Sequence, residues 1–365
     1  MKLIIEARES GTSTGRHIDK LIENLHKLKP EFEIIIHTKP HRINFFKETT
    51  PDFGVEETTS KEFTFSEQFN LARHLYSFKP DLVHFTMTHQ PILYFGKSIT
   101  TIHDLTTARF TNPAKNWLVF KLKQLVYRGV IVWVAHKSRS ILTISDFVKQ
   151  DIAGYAHIDP NKIKVTYLAA DNITDKAEPV NGVTPGQFIM YVGRPLPHKN
   201  LQRLIEAFAL LRTERPDLEL VLAGKKDVLY ERFERQVKKE GIQGVTFTDF
   251  VTEGQLRWLY ENTAAYVFPS LSEGFGLPGL EAMAHGAPVV SSNATCLPEI
   301  YGEAAHYFDP TSIDDMAAKI QEVLTDKDLK AKLIKNGRTQ AAKYSWQTMA
   351  EQTLEVYKKA LGINT

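Results

Sequence analysis

The sequence predicts an α/β protein made of two successive domains, each built on a parallel sheet, and three observations carry that prediction. Short apolar runs alternate with helical patterns from one end of the chain to the other. Parallel strands demand this alternation, because each crossover between them needs a helix. The chain is 365 residues long, which at ~150 residues per domain indicates two. The segment Asp171 to Gly186, with Pro179, Gly182 and Pro185 and almost no apolar periodicity, divides it near the middle into similar halves.

The elements follow in order. Strands are expected at residues 2–7, 33–38, 81–86, 98–102, 140–144 and 163–168 in the first half. In the second half they are expected at 188–193, 218–223, 245–248, 265–268, 287–291 and 305–308. Helical patterns fall between them. Over 200–214, Leu201, Leu204, Ile205, Phe208 and Leu211 repeat at helical spacing behind Asn200, the expected N-cap. The last helix, about 346–361, carries one apolar face of Trp346, Met349, Ala350, Leu354, Tyr357 and Leu361. The pattern alone leaves its packing partner open. An aromatic stretch from Phe45 and Phe46 to Phe69 lacks clear periodicity and reads as core or as the wall of a pocket. No short internal repeat is present, which excludes a solenoid.

Composition narrows the function classes. Lys plus Arg at 45 against Asp plus Glu at 43 leaves a net charge of +2, which makes no electrostatic case for nucleic acid as a partner. Cys296 is the single cysteine, so no disulfide framework exists, and no Cys/His cluster has zinc-ligand spacing. Asp326-Lys327-Asp328 has the letters of a metal-binding Asp-x-Asp but lies between helical stretches and reads as a solvated turn. No metal site is expected. Glu6 interrupts the first apolar run, against a signal peptide. The most apolar stretch, Gly129 to Ala135, is far below the ~20 residues that span a bilayer. A cytoplasmic protein is expected. Residues 115–139 mix Trp117, Phe120, Leu122, Leu125, Val126 and Trp133 with Lys115, Lys121, Lys123, Arg128, Lys137 and Arg139. That mixture suits a helix lying on the inner face of an anionic membrane, or a helix packed on the sheet with its lysines in water.

In open parallel sheets, ligands bind beyond the carboxyl ends of the strands, at the loops that start the next helices. Four such places stand out. After the first strand, Gly11-Thr12-Ser13-Thr14-Gly15 precedes a helix expected from Arg16. Glycine permits close backbone approach, and the helix start offers free N–H groups and a positive dipole end, which suits phosphate. The same run also reads as a plain tight turn. It has neither the Gly-x-Gly-x-x-Gly fingerprint nor a Walker lysine, against a dinucleotide dehydrogenase or a P-loop NTPase.

After the strand at 188–193 comes Gly193-Arg194-Pro195-Leu196-Pro197-His198-Lys199-Asn200. Arg194 and Lys199 place two cations in a proline-stiffened loop, matching the charge of a diphosphate, or stand as two free, solvated surface cations. After the strand at 265–268 comes Pro269-Ser270-Leu271-Ser272-Glu273-Gly274-Phe275-Gly276-Leu277-Pro278-Gly279-Leu280-Glu281. Gly274 and Gly276 free the backbone so that successive N–H groups can face an anion, and Pro278 suits the first position of a helix. Glu281, one turn into that helix, has the acceptor geometry for a vicinal diol such as ribose presents. Glu273 stands before the helix and can address another part of the same ligand. The competing reading makes both glutamates simple favourable charges at a helix N-terminus. Finally, His103 and Asp104 end the strand at 98–102, where a histidine can donate to a sugar hydroxyl or a phosphate oxygen and Asp104 can orient it or meet an acceptor. A lone histidine is more often structural, and its position at the strand end carries the functional reading.

With these elements assembled, the chain resembles a retaining glycosyltransferase of family four. Ser272-Glu273-Gly274-Phe275-Gly276-Leu277-Pro278 through Glu281-Ala282-Met283 and Gly286-Ala287-Pro288-Val289-Val290 looks like the family's Glu-x7-Glu motif. Gly193-Arg194 with Lys199, His103-Asp104 and Thr14-Gly15-Arg16 match further signatures of that family. Many relatives have Gly-Gly where this chain has Thr14-Gly15. The resemblance implies the GT-B architecture, two Rossmann-like αβα domains facing across a cleft, with the C-terminal helix crossing back to the first. The implied domains are 1–172 with 346–365, a linker at 173–186, and 187–345.

It also implies roles. Arg194 and Lys199 would neutralise the donor diphosphate, which the backbone at Gly15 would also approach. Glu281 would hold the ribose, while Glu273 with the Phe275-Gly276-Leu277 backbone would hold sugar and phosphate. His103 would contact the transferred sugar or its phosphate, and Phe250-Val251 resembles the loop that borders the base. Asp104 would join the donor-binding set. The implied reaction is metal-independent, retaining transfer of a hexose from a nucleotide diphosphate sugar to a glycan or lipid-linked acceptor, with no resident cofactor. The Phe-Gly-Leu-Pro form of the motif looks like that of mannosyltransferases using GDP-mannose, with UDP-sugars second. The rival reading is a catalytically silent nucleotide-sugar-binding or scaffold subunit on the same fold.

Overall fold

A computed structural model describes residues 1–12, 14–60, 64, 67–110 and 117–363. Ser13 of the first glycine loop and Lys115 of the basic stretch lie outside the described residues. The chain divides into two compact units: Met1–Ala108 with Leu122–Leu168 and Ser345–Thr365, and Arg109–Lys121 with Ala169–Tyr344.

The first unit holds β1 (Lys2–Glu6), β2 (Glu33–Thr38), β3 (Gly54–Glu57), β4 (Leu82–Phe85), β5 (Ser98–Thr101), β6 (Ser140–Thr143) and β7 (Ile163–Val165). They form one parallel sheet in the order β3-β2-β1-β4-β5-β6-β7. Its central strands carry the apolar runs Leu3-Ile4-Ile5, Ile34-Ile35-Ile36 and Leu82-Val83 because both faces are covered there. Leu3 and Ile5 point into one core, against Ile18, Leu21, Ile22 and Leu25 of the helix Arg16–Leu28. Ile4 points into the opposite core with Val83 and Phe85. The helix Trp346–Leu361 belongs to the first of these cores through Met349, Ala350, Tyr357 and Ala360, and Phe46 joins it. Tyr357 Oη lies 2.6 Å from His84 Nδ1, fastening that helix to β4. Its apolar face, without a destination in the pattern, is thus buried on the first sheet.

The second unit holds β8 (Phe188–Val192), β9 (Glu219–Ala223), β10 (Val245–Phe247), β11 (Ala265–Phe268), β12 (Val289–Ser292) and β13 (Ala305–Phe308). Their order is β10-β9-β8-β11-β12-β13, again all parallel. The linker packs along this unit: Glu178 N donates to Gly254 O at 3.0 Å and Gly186 N to Asn262 O at 2.8 Å.

All twelve expected strands are present within a few residues, β7 being shorter than 163–168. The strand that the sequence hides is β3. Its Gly-Val-Glu-Glu is mostly exposed and pairs only with β2 at the sheet edge, so it lacks the apolar run by which a buried strand is recognised. Two local readings are corrected. Asn200 occupies the N-cap position of the helix Leu201–Glu214, but in a left-handed conformation with φ +61° and without a side-chain cap bond. Asp326 is the N-cap of the helix Lys327–Ala341, accepting from Asp328 N and Leu329 N, so Asp326-Lys327-Asp328 is a helix start rather than a free turn.

Candidate active site

Both sheets reverse strand order once, between β1 and β4 and between β8 and β11. A crevice opens at such a switch point, beyond the carboxyl ends of the two strands, where the loops diverge to opposite faces. Three of the four expected motifs are loops that border a switch point, and His103 follows the neighbouring β5.

In the second unit the loops are tied by two ion pairs. Gly193, at φ +140°, ends β8, and a Cβ there would lie 2.8 Å from Tyr191 Oη. Arg194 is 62% exposed along its side chain, and its Nη2 donates to Asp227 Oδ2 at 2.7 Å. Asp227 caps the helix Val228–Lys239, accepting from Leu229 N and Tyr230 N. Burial works to raise the Asp227 pKa, but the Arg194 hydrogen bond and the two backbone N–H groups outweigh it and hold the carboxyl below its ordinary value.

Lys199 ends the 3-10 turn Pro197–Lys199, and its Nζ donates to Glu273 Oε1 at 2.7 Å and Oε2 at 2.9 Å. The loops after β8 and β11 are stitched directly as well. Asn200 Nδ2 donates to Pro269 O at 2.9 Å and Pro310 O at 2.8 Å, and Leu271 N to His198 O at 2.7 Å. The Asn200 Oδ1, the atom a cap would use, accepts instead from Arg203 Nη1 at 2.9 Å. Glu273 is held from behind too: its N–H donates to Thr295 Oγ1 at 3.1 Å, and its carbonyl accepts from Cys296 Sγ at 3.3 Å.

The helix Leu277–Ala284 starts beyond Gly276, at φ +95°, with Pro278 at its second position. Tyr301 Oη donates to Gly276 O at 2.6 Å, and a Cβ on Gly279 would sit 2.2 Å from the same hydroxyl. A glycine at 279 is therefore a packing requirement. Glu281 is buried, with Tyr260 Oη donating to its Oε2 at 3.3 Å. Beneath it, His285 Nδ1 donates to Glu281 O at 2.9 Å, and His285 Nε2 accepts from Ile173 N of the linker at 3.2 Å. Phe275, Gly276 and Leu277 lie at the helix start, where the first backbone N–H groups lack intrahelical partners. Val251 follows β10 in a turn held by Asp249, which has φ +63° and accepts from Lys226 N at 2.7 Å. Arg194, Lys199, Glu273, Val251 and the Phe275–Glu281 segment thus share the carboxyl end of one sheet.

In the first unit, Gly15 precedes the helix Arg16–Leu28, and a Cβ on it would lie 1.7 Å from Glu9 O. Its N–H donates to Thr12 Oγ1 at 2.9 Å. The loop's own closure therefore demands this glycine, whatever approaches it. Asp19 closes the loop further by binding Ser10 Oγ and, at 3.0 Å, Arg42 Nη2. Gly15→Ala is expected to lower stability by ~1–3 kcal/mol, as overpacking against rigid backbone does. Urea unfolding measures it, and an unchanged midpoint would refute the packing account.

His103 Nε2 lies 3.1 and 3.2 Å from the two ring nitrogens of His17. His17 Nδ1 bonds Thr14 O at 2.9 Å, so its Nε2 is the acceptor that meets His103. Burial pushes the His17 pKa down to about 4. Burial, with His17 beside it, also takes His103 well below the usual histidine value. At neutral pH His103 is uncharged, and with its one N–H turned to His17 its Nδ1 is an acceptor, suited to a sugar hydroxyl. Asp104 Oδ1 accepts from Thr106 N at 2.8 Å and so caps the short turn Thr106–Arg109. His17, rather than Asp104, is the side chain set against the His103 ring.

Sequence reasoning missed Asp227, Tyr260, Tyr301 and His17. Asp227 before an amphipathic run is a readable N-cap signal, but its pairing with Arg194, 33 positions away, is not. Among the described residues no group of three or more His, Cys, Asp or Glu could hold a metal ion, and no helix is long and apolar enough to cross a membrane.

Two parallel αβα units, each with its motif-bearing loops at a switch point, define a GT-B glycosyltransferase fold. The chain belongs to the glycosyl transferases group 1: that family's model matches residues 173–340, and the Glycosyltransferase Family 4 model matches 14–173. It is 32% identical over 294 residues to O-antigen chain mannosyltransferase B of Escherichia coli, covering 74% of this chain and 73% of that one. It is also 32% identical over 249 residues to the serotype-specific mannosyltransferase WbdA of Escherichia coli. That match spans 67% of this chain but only 29% of WbdA. The Anabaena HepE structure, in complex with UDP and glucose, superposes with a TM-score of 0.74 over 98% of this chain and 100% of that one. At 16% identity, that likeness is one of fold.

Proposed function

We propose that the protein transfers mannose from GDP-mannose, with retention at the anomeric carbon, to a hydroxyl of a glycan or lipid-linked glycan. The observation that carries this reading is the joining of the Arg194–Lys199 loop to the Glu273–Glu281 segment at the β8/β11 switch point. Two cations and the start of a helix converge there, as a departing diphosphate requires. Lys199 spends two hydrogen bonds on Glu273 and has a third N–H for a phosphate oxygen. Arg194, on the exposed side of its pair with Asp227, keeps donors for the same group.

Glu281 takes the ribose diol, the Phe275-Gly276-Leu277 backbone takes phosphate and sugar, and the backbone at Val251 borders the base. Glu273 and neutral His103 are assigned to the transferred sugar, and Gly15 and Asp104 to the donor side of the first unit. The bond from the anomeric carbon to the diphosphate breaks as the bond to the acceptor oxygen forms on the same face. The acceptor proton passes to a leaving phosphate oxygen, so no carboxylate nucleophile is needed. The cations take the part that a metal ion plays elsewhere. The mannosyltransferase relatives support the sugar; the UDP of HepE keeps UDP-sugars as the second donor class.

Calorimetric titration with GDP, UDP, ADP and TDP and their sugar conjugates, in EDTA and again with magnesium, tests the reading. GDP and GDP-mannose are expected to bind at micromolar affinity in EDTA. A preference for another base replaces the donor assignment, and binding of none overturns it.

A further inference from the structure

We infer that the helix Trp117–Lys137 carries a monotopic docking face for an anionic phospholipid surface. The helix is apolar on two opposite sides. Ile131, Val134 and Ala135 are buried in the unit's core, and Gln124 is buried with them. On the other side Leu122, Leu125 and Val126 are 65%, 66% and 61% exposed. Residues 122, 126, 129 and 133 follow at steps of four, three and four, so with 125 they make one stripe along the helix. Lys121 flanks it on one side and Lys123 on the other, Arg128 being turned to donate through Nε and Nη2 to Ala108 O at 2.9 and 2.7 Å, and the helix contains no Asp or Glu.

A second element meets the stripe at its C-terminal end. Lys137 Nζ sits 4.7 Å from the Trp133 ring and 5.3 Å from the Tyr94 ring. This contact brings the loop of Tyr94 beside the stripe, and its neighbour Phe95 is 73% exposed. The loop is held in shape, with Phe95 N donating to Tyr76 Oη at 2.7 Å and Ile92 N to Gln68 Oε1 at 2.7 Å. The apolar surface thus spans a helix and a braced loop.

The charge pattern selects the occupant. Cores of protein interfaces are depleted in lysine, whereas cations along both margins of an apolar stripe let their stems lie over acyl chains while the charges reach phosphate. The face is independent of the donor-site loops, so the two readings fail separately.

The test is sedimentation of the full chain with vesicles of phosphatidylcholine alone and of phosphatidylcholine with phosphatidylglycerol. The native chain is expected to bind the anionic vesicles at least ~10-fold more tightly than the neutral ones. Leu122→Glu with Leu125→Glu, and separately Lys121→Glu with Lys123→Glu, should each lose at least ~10-fold on anionic vesicles. Both pairs should keep nucleotide binding, since the altered side chains are exposed and outside the donor-site loops. Equal binding to the two vesicle types, or native-like binding by the leucine pair, overturns the inference. So does concentration-dependent dimerisation abolished by that pair without any vesicle binding, which would give the face to a second copy of the chain.

Discussion

Lys199→Ala is expected to cut turnover at least ~100-fold while leaving the fold of the second unit intact. Lys199 sits at the switch point between β8 and β11, at the end of a turn whose backbone is fixed by Asn200 and by Leu271 N on His198 O. Removing its amine therefore deletes a donor without releasing the loop. It also leaves the Glu273 carboxylate without this counter-charge in a site meant for an anion, so KM for the donor should rise as kcat falls. Glu273→Ala is expected to reach a comparable loss by another route. Lys199 is then freed, so diphosphate binding holds, while the group assigned to the sugar is gone and kcat carries the effect. Steady-state kinetics of both variants, with circular dichroism to verify folding, separates the two. Near-normal activity in both would sink the assignment.

Acidification is expected to unfold the first unit ahead of the second. Burial holds His17 and His37 at about 4 and His84 at about 3, and His103 also lies well below the ordinary value. Each is neutral in the folded chain and has an unfolded pKa near ~6.5, so the unfolded state binds more protons between those limits. The stability is present in full above pH ~6.5 and is lost as pH falls toward the folded values. His17, His37 and His84 each cost on the order of 2 kcal/mol between pH 6.5 and 4.5, so together they reach the lower part of the ~5–15 kcal/mol of a typical domain, and His103 acts in the same direction. In the second unit, burial with Lys199 nearby lowers only His198 among the resolved histidine shifts, to about 4. Hydrogen exchange at pH 7 and pH 5, corrected for intrinsic rates, should show lost protection around β1, β2 and β4 first. Both ring nitrogens of His37 are buried without hydrogen-bond partners, so His37→Leu should move the acid midpoint downward. A midpoint common to both units and unmoved by that substitution would refute the account.

The helix and strand pattern was legible because period and composition are local properties. Buried parallel strands announce themselves as apolar runs, and twelve did so; β3, charged and at the edge, did not. The loops with chemistry were legible for a similar reason. Gly276 needs its positive φ, Pro278 lies in the first turn of a helix, one position later than expected, and Arg194 and Lys199 flank prolines, all within a few residues of a strand end.

What each side chain does inside those loops was not legible. The cations looked free and are paired; Asn200 looked like a cap and is a strut between three loops. Gly15 and Gly276 looked like openings for a ligand, yet Glu9 O and Tyr301 Oη already occupy the space their side chains would need. The sequence by itself determined the two parallel αβ halves and the strand ends where chemistry gathers, since both follow from periodicity and backbone preference over short stretches. Only the tertiary structure decided the partners, Asp227 for Arg194, Glu273 for Lys199 and His17 for His103. Strand order sets which loops meet at a switch point, and no local pattern records contacts between residues 33, 74 and 86 positions apart.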